Sequence, residues 1–289
     1  MRGIIVASLA FVSINASAQT RVRDVIYLKQ GGCAYTMDVF EPKVSNHKAV
    51  VWIISGGWIS NHESINPFLA APLNAKGFTV FEVVHGSQPK YTIPEIIPQV
   101  RHAIRFIRAN AASYDVSPNA IGVCGASAGG HLSLEIGGLG DDGDPNAKDP
   151  VDRVSSRANA IVAFFPPTDF ENWGMSGVSP INDPKMDVFM PAFGITRQTP
   201  KETILKTGHD LSPIILVKAG FPPTLLVHGD ADTLVPVQQS KIMDAAFESA
   251  HIVHKLVIVP GTGHDANTML KALPEALDWF DKNLTVAKS

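Results

Sequence analysis

A serine with a glycine two positions away on either side is the first feature of this sequence that could do chemistry. The run "GASAG" at residues 125–129 follows an apolar stretch and precedes a helical pattern that begins at Ala128. On such a strand-to-helix turn the serine is exposed and strained, while the glycines prevent clashes with the adjoining strand and helix. The motif predicts a nucleophilic Ser127. The alternatives are a small-residue turn without chemistry and a phosphate-binding turn, although the Gly-Lys-Ser/Thr of a phosphate loop is missing.

A serine hydroxyl is a weak nucleophile at neutral pH, so it requires a histidine base within hydrogen-bonding distance. The chain has ten histidines, and His264 has the most suitable position. It follows the last apolar strand pattern in "VIVPGTGHDAN", which places it at the carboxyl edge of a predicted sheet. The others, including His131 on the helix after the serine and His228 inside a strand pattern, are expected to have no catalytic role.

The base in turn requires a carboxylate that orients its ring. The segment "LLVHGDADTLVP" ends a strand pattern at Gly229 and offers Asp230 and Asp232. Asp232 has room to reach across the loop and is the predicted acid, whereas Asp230 is typical of a turn residue that bonds local amides. Asp169, which follows another apolar stretch, is the third candidate.

Transfer of an acyl group also needs backbone N–H groups aimed at the developing oxyanion. One is expected from Ala128, directly after the serine. "VVWIISGGWIS" supplies Gly56 and Gly57 after an earlier strand pattern, where the backbone can approach a substrate without a side-chain clash. Trp58, the next residue, is expected either to line the substrate pocket or to pack beneath the loop.

These loops must be positioned by a sheet, and the sequence alternates strand and helix patterns. Two short strand patterns at 24–29 and 34–42 flank a Gly-Gly turn and predict an antiparallel hairpin. Near-continuous apolar runs then predict strands that are buried on both faces, and helical spacing separates them. The expected fold is α/β, with a doubly wound, mostly parallel sheet. The apolar runs are 49–55, 78–84, 120–125, 158–165, 223–229 and 254–261, and the helical patterns include 95–111, 237–249 and 267–280.

Two segments interrupt this alternation. Residues 166–213, called the insertion below, are long and irregular, and such segments are usually lids or binding loops. In this fold class the insertion is expected to lie over the carboxyl ends of the strands. The acidic loop 141–149 lacks the glycine and glutamate of an EF-hand loop, so a solvated loop is predicted over a calcium site.

The first residues have the pattern of a secretory signal peptide. Arg2 is followed by an apolar run and then by Ala-Ser-Ala at 16–18, which predicts cleavage before Gln19. The run is too short to span a bilayer, so no stable membrane insertion is expected. Residues 19–289 are expected to form one exported domain, periplasmic or extracellular.

Composition excludes several kinds of partner. The net charge is −3 over 289 residues, which gives no basic surface for nucleic acid. The two cysteines, Cys33 and Cys124, are too few for a disulfide framework and are expected to be free thiols. The residues above suggest no metal and require no cofactor. The oligomeric state is not indicated by the sequence.

Together, "SGGW" (55–58), "GASAGGHL" (125–132), "HGDADTLVP" (228–236) and "GTGHD" (261–265) resemble the α/β-hydrolase esterase/lipase superfamily. Within it, the chain is most similar to the hormone-sensitive-lipase-like (GDXG) and bifunctional feruloyl/acetyl-xylan esterase-like enzymes. The order Ser127, Asp232, His264 is also that of the superfamily. Several positions depart from these relatives, including the usual Tyr-Arg motif, which is replaced by "HGSQPKYTIP" (85–94). Ile54 and Ser55 stand where the usual motif has histidine and its first glycine, and Ala126 replaces the aspartate of GDXG enzymes.

The resemblance implies a serine carboxylic-ester hydrolase that acts on small-molecule or polysaccharide-linked esters, including acetyl or feruloyl esters. Two other functions share this fold. A peptidase of the prolyl-oligopeptidase type is expected to have a large extra domain, which this sequence lacks. A non-catalytic binding protein would be expected to lack one of the three catalytic side chains.

Overall fold

The computed structural model of the protein describes residues 20–286, and the predicted signal peptide lies outside them. The apolar runs form the strands of one eight-stranded sheet. Strands β3 to β7 are buried along nearly their whole length because both faces of the sheet are covered. The strands are β1 Thr20–Gln30, β2 Cys33–Glu41, β3 Ala49–Ile54, β4 Thr79–Val84, β5 Ile121–Ala126, β6 Ala160–Phe164, β7 Thr224–Gly229 and β8 His254–Val259.

The sheet is mostly parallel and has the strand order β1-β2-β4-β3-β5-β6-β7-β8. β1 and β2 form an antiparallel hairpin around the Gly-Gly turn, and β2 pairs antiparallel with β4. All the other pairs are parallel. The predicted α/β-hydrolase fold, with its antiparallel N-terminal hairpin, is therefore confirmed. Because β5, β7 and β8 run in the same direction, the loops that follow them meet at one edge of the sheet.

Helices cover both faces of the sheet and bury two apolar clusters against it. One face is covered by α2, α3 and α5, and the other by α1, α6 and α7. The helices are α1 Pro67–Ala75, α2 Ile93–Ala109, α3 Ala128–Leu139, α4 Lys201–Asp210, α5 Gln238–Ser249, α6 Ala266–Lys271 and α7 Leu273–Asn283. Short 3₁₀ helices occur at His62–Ser64, Ala111–Tyr114, Pro150–Arg153, Pro180–Asn182, Pro184–Phe193 and Pro213–Leu216.

The C-terminal helical pattern differs from the prediction of one continuous helix over 267–280. It is divided into α6 and α7 at Ala272, which caps both helices. Pro274 lies in the first turn of α7. Proline has no N–H for an intrahelical hydrogen bond and is tolerated there, whereas inside a longer helix it would interrupt the hydrogen bonding. Apolar periodicity alone did not reveal this break.

The insertion contains 3₁₀ helices and α4, and its aromatic side chains pack toward the carboxyl edge of the sheet. In the acidic loop, Asp141 is paired with Arg101 and Arg105 of α2, and Asp142 with Arg157. These carboxylates therefore face arginines. Cys33 and Cys124 are both free thiols, as expected. Among residues 20–286, none of the helices has the length and apolar character needed to cross a bilayer.

Candidate active site

Ser127 occupies the sharp turn between β5 and α3. Its φ of 55° and ψ of −120° are unusual for a residue with a side chain, and its N–H donates to the carbonyl of Phe164 at 2.9 Å. Both flanking glycines are required by close packing. A Cβ on Gly125 would lie 2.4 Å from the carbonyl carbon of Gly129, and one on Gly129 would lie 2.6 Å from the Ile53 oxygen. The "GASAG" motif therefore forms the strained turn that the sequence predicts.

The structure brings Ser127, His264 and Asp232 together in a continuous chain of hydrogen bonds. His264 Nε2 lies 2.8 Å from Ser127 Oγ, and His264 Nδ1 lies 2.7 Å from Asp232 Oδ2. Asp232 follows β7 and His264 follows β8, so the parallel sheet carries both toward the serine. A carboxylate only accepts hydrogen bonds, which makes Nδ1 the donor and leaves Nε2 free to accept the serine proton.

The surroundings of Asp232 favour its charged form, although its side chain is inaccessible to solvent. Oδ1 accepts the N–H groups of Leu234 and Val235, each at 2.9 Å. Burial alone would raise the pKa of Asp232, but hydrogen bonds from His228, His264 and Val235 outweigh it and hold the pKa well below the ordinary range. The carboxylate therefore stays ionised beside the imidazole.

The two other candidate acids lie elsewhere and have local partners. Asp230 Oδ1 accepts the N–H of Gly261 at 2.7 Å and joins the loops after β7 and β8. Asp169 Oδ1 accepts the N–H groups of Glu171 and Asn172 inside the insertion. Asp232 is the carboxylate that contacts His264.

The segment Gly56–Ile59 forms a tight turn, called the 56–59 turn below. Gly56 and Ile59 exchange both backbone hydrogen bonds at 3.0 Å, and φ is positive at Gly57 (56°) and Trp58 (60°). Positive φ at both central residues is the signature of a type I′ turn. The Gly56 N–H is thus donated to Ile59, which differs from its expected role as an oxyanion donor. Gly57 and Ala128, the first residue of α3, line the same cavity as Ser127.

The sequence left open whether Trp58 packs beneath the loop or lines a pocket. In the structure its side chain is buried and also lines a cavity. It is 3% exposed, and its indole packs against aromatic rings of α3 and the insertion. It also lines a small cavity next to Ser127, with a volume of about 30 Å³. The cavity wall is formed by Gly57, Trp58, Ser127, Ala128, Pro167, Phe170, Trp173, Met186, Phe189, Leu234 and Val235.

Two histidines that were expected to have no catalytic role lie directly behind this site. His228 on β7 is fully buried, and its Nε2 lies 2.9 Å from the Val235 carbonyl and 3.4 Å from Asp232 Oδ2. His131 on α3 is fully buried against Trp58. Their spacing in the sequence could have indicated that they lie near the site. His131 lies one helical turn after Ser127, and His228 lies four residues before Asp232.

Several known proteins resemble this chain in sequence or in fold. The BD-FAE family model matches residues 37–247, more than half of the chain. The probable carboxylic ester hydrolase LipM of Mycobacterium tuberculosis is 27% identical over 65% of the chain and 42% of its own length. Esterase LipC of the same organism is 26% identical over 80% of the chain and 57% of its own length. The chain thus spans about half the length of these curated relatives.

One solved structure aligns with this chain over nearly the full length of both. A truncated form of a carbohydrate esterase from gut microbiota has a TM-score of 0.77 and 27% sequence identity. The alignment covers 92% of this chain and 97% of the other. The family match, the sheet order and the loop positions support one conclusion. The chain belongs to the BD-FAE family of α/β-hydrolase esterases.

Proposed function

We propose that this protein is a carboxylic-ester hydrolase with Ser127 as nucleophile, His264 as general base and Asp232 as the orienting acid. The observation that carries the proposal is the continuous hydrogen-bonded path from Ser127 Oγ through His264 to Asp232, with distances of 2.8 and 2.7 Å. These distances lie within the range needed for proton transfer to a base. Family membership supports the same reaction class.

In the proposed first step, Ser127 Oγ attacks the ester carbonyl while His264 Nε2 takes its proton. Asp232 holds the tautomer with a proton on Nδ1 and stabilises the imidazolium that forms. His264 then protonates the departing alcohol, which leaves an acyl group on Ser127. In the second step His264 activates a water molecule, which releases the acid and restores the serine.

The oxyanion of each tetrahedral intermediate is assigned to the N–H groups of Gly57 and Ala128. Each donor contributes roughly 3 kcal/mol to the transition state in comparable enzymes. Gly57 presents backbone without a side chain, and Ala128 begins α3, where the first N–H groups have no intrahelical acceptor. The Gly56 N–H has its own partner in the 56–59 turn and is left out of this assignment.

Replacement of the nucleophile tests the reaction class. We expect Ser127→Ala to abolish hydrolysis of p-nitrophenyl acetate and labelling by a fluorophosphonate probe. Ser249→Ala is the matched control, because Ser249 is an exposed serine at the end of α5 and does not line the cavity beside Ser127. Undiminished turnover by Ser127→Ala would overturn the assignment, and turnover of peptide amides in place of esters would redirect it to a peptidase.

The substrate class follows from the small cavity. About 30 Å³ beside the nucleophile suits a methyl-sized acyl group, which favours acetyl esters over longer acyl chains. The similarity to a carbohydrate esterase supports acetylated carbohydrates as the alcohol side. Profiling with acetyl xylan, feruloyl esters and p-nitrophenyl esters of increasing chain length tests this. We expect the highest kcat/KM with acetyl esters, and a preference for feruloyl or long-chain esters would contradict the proposed acyl group.

We also propose that the protein is exported through residues 1–18. The support is the sequence pattern, a positive residue followed by an apolar run and Ala-Ser-Ala. Fractionation of cells that express the full chain should place the mature protein outside the cytoplasm with Gln19 as its first residue. A cytoplasmic protein that keeps residues 1–18 would rule out export.

A further inference from the structure

The imidazole of His131 is fully buried and uses both of its nitrogens. Nδ1 lies 3.3 Å from Nε1 of Trp58, and Nε2 lies 2.9 Å from the carbonyl oxygen of Leu211. An indole nitrogen can only donate a hydrogen bond, and a carbonyl can only accept one. His131 must therefore be neutral, with its proton on Nε2 and a free lone pair on Nδ1 for Trp58.

The surroundings of the ring agree with this tautomer. Burial lowers the pKa of His131 to about 4 and raises the pKa of Glu135, whose Oε1 lies 3.6 Å from Nε2, to about 8. Both groups are neutral at pH 7. The Leu211 carbonyl, at the end of α4 in the insertion, is consequently the group that selects the tautomer.

Trp58 connects this histidine with the proposed oxyanion donor. It is the second central residue of the 56–59 turn, directly after Gly57. Its indole meets the His131 ring edge-on at 5.4 Å, and Phe193 contacts it from the insertion at 5.2 Å. The indole N–H has its hydrogen-bond acceptor in His131, so this bond fixes the orientation of the side chain that follows Gly57.

The segment that leads into the turn provides little side-chain support of its own. The Ile54 side chain is apolar and cannot form a hydrogen bond. Ser55 Oγ is buried without a hydrogen-bond partner among the residues that the structure describes. Positive φ at Trp58 is an uncommon conformation for a residue with a side chain, so the surroundings have to maintain it. Support from His131 meets this need.

We propose that His131 is a positioning residue that holds the 56–59 turn through Trp58, with its tautomer set by the Leu211 carbonyl of the insertion. It thereby keeps the Gly57 N–H directed at the oxyanion without touching the substrate. This inference rests on the proposed esterase function. It also makes the insertion part of the catalytic geometry, since Leu211 belongs to the insertion.

The test uses kcat and KM for p-nitrophenyl acetate, with kcat expressed per fluorophosphonate-labelled site so that unfolded protein does not count. We expect His131→Leu to lower kcat about 10- to 100-fold, as for a displaced transition-state donor, with little change in KM. Trp58→Phe removes the N–H from the other side of the same bond and should lower kcat to a similar extent. The double variant should show no further loss because both substitutions break one interaction.

Two further variants separate positioning from general stability. His131→Asn retains an oxygen near the Nδ1 position that can accept from Trp58, and should recover most of the lost kcat. Trp279→Phe is the matched control, because Trp279 is a buried indole whose Nε1 has no partner within residues 20–286. It should change the melting temperature more than kcat.

Clear results would overturn the inference. It fails if His131→Leu and Trp58→Phe keep the wild-type kcat per labelled site while only their melting temperatures fall, or if their losses multiply in the double variant. If His131→Leu does not fold, Trp58→Phe and His131→Asn decide the question, and a full kcat in Trp58→Phe counts against it. An inert wild-type enzyme would overturn the proposed function and this inference together. An active wild type with unaffected variants overturns the inference alone.

Discussion

The two carboxyl oxygens of Asp232 have different hydrogen-bond partners. Oδ1 is held by the N–H groups of Leu234 and Val235, which fix the loop after β7. Oδ2 faces His264 at 2.7 Å and His228 at 3.4 Å. Because each neighbour is a donor, the group is most stable as a carboxylate, and its pKa lies below the ordinary range in spite of burial. One residue thus links loop geometry with the tautomer of the base.

Replacement of this carboxylate by an amide should therefore affect chemistry more than folding. We expect Asp232→Asn to lower kcat by about 10⁴ with little change in KM, because an amide nitrogen facing Nδ1 favours the wrong tautomer of His264. Asp230→Asn is the control two residues away, and it should retain most of the activity because Asp230 bonds the Gly261 amide. Steady-state kinetics of the two variants check this, and equal losses would contradict the choice of Asp232.

Gly57 has a left-handed backbone conformation and lies close to neighbouring side-chain atoms. Its φ is 56°, and a Cβ there would lie 2.7 Å from Cε1 of Phe189. We expect Gly57→Ala to lower kcat roughly 10- to 100-fold, because relief of the clash moves the proposed oxyanion donor. Gly31 has a φ of 57° with no atom within 4 Å of a Cβ, so Gly31→Ala isolates the backbone strain.

Denaturant unfolding and kcat measured on both glycine variants check this argument. Both should lose about 1 to 2 kcal/mol of stability from backbone strain. Gly57→Ala should lose more stability than Gly31→Ala, and it alone should lose kcat. Similar activity in the two variants would show that the 56–59 turn does not need its exact position.

At the scale of elements, the parallel strands made most of the site predictable. The loops after β5, β7 and β8 must meet at one edge, so Ser127, Asp232 and His264 could be proposed as neighbours from strand patterns and residue types. The internal hydrogen bond of Gly56 could not be foreseen, because turn type depends on φ at Gly57 and Trp58 and the flanking glycine gives no sign of it. Apolar periodicity likewise did not show the break between α6 and α7.

The insertion was recognisable as an irregular segment, but its packing was not, because its aromatic residues have no regular spacing. In the structure Phe189 closes the cavity over Gly57, and Phe193 packs against Trp58 without lining the cavity. Similar side chains therefore have different tasks. Phe189 limits the space beside Ser127, and Phe193 supports the cavity wall by packing against Trp58.

This difference predicts that the two alanine substitutions affect different properties of the enzyme. Phe189→Ala should raise the ratio of kcat/KM for p-nitrophenyl hexanoate to that for the acetate by about 10-fold or more, because it removes the ring that limits the acyl group. Phe193→Ala should lower the melting temperature without changing that ratio. A chain-length series for both variants checks this, and an unchanged ratio in Phe189→Ala would place the acyl group elsewhere.

At the scale of the whole molecule, burial shifts the pKa values of two histidines and two glutamates in opposite directions. It lowers the pKa of His85 and His131 to about 4, and raises the pKa of Glu82 to about 7 and of Glu135 to about 8. All four are therefore neutral in the folded protein near pH 6. The histidines make stability rise with pH between about 4 and 6.5, where only the unfolded chain binds their protons. The glutamates make stability fall above about 4.5, where only the folded chain keeps their protons.

These opposing effects cancel between about pH 4.5 and 6.5, and above that range the glutamates act alone. Each unit of pH over which Glu135 stays protonated only in the folded state costs about 1.4 kcal/mol, so wild type should lose about 2 kcal/mol through this group between pH 6.5 and 8. Glu135→Gln, which has no proton to release, should remove that part of the decline. Exposed Glu202 provides the control, and Glu202→Gln should follow the wild-type curve. Urea unfolding at half-unit steps of pH measures the difference, and parallel curves for wild type and Glu135→Gln would mean that Glu135 is already ionised in the folded protein.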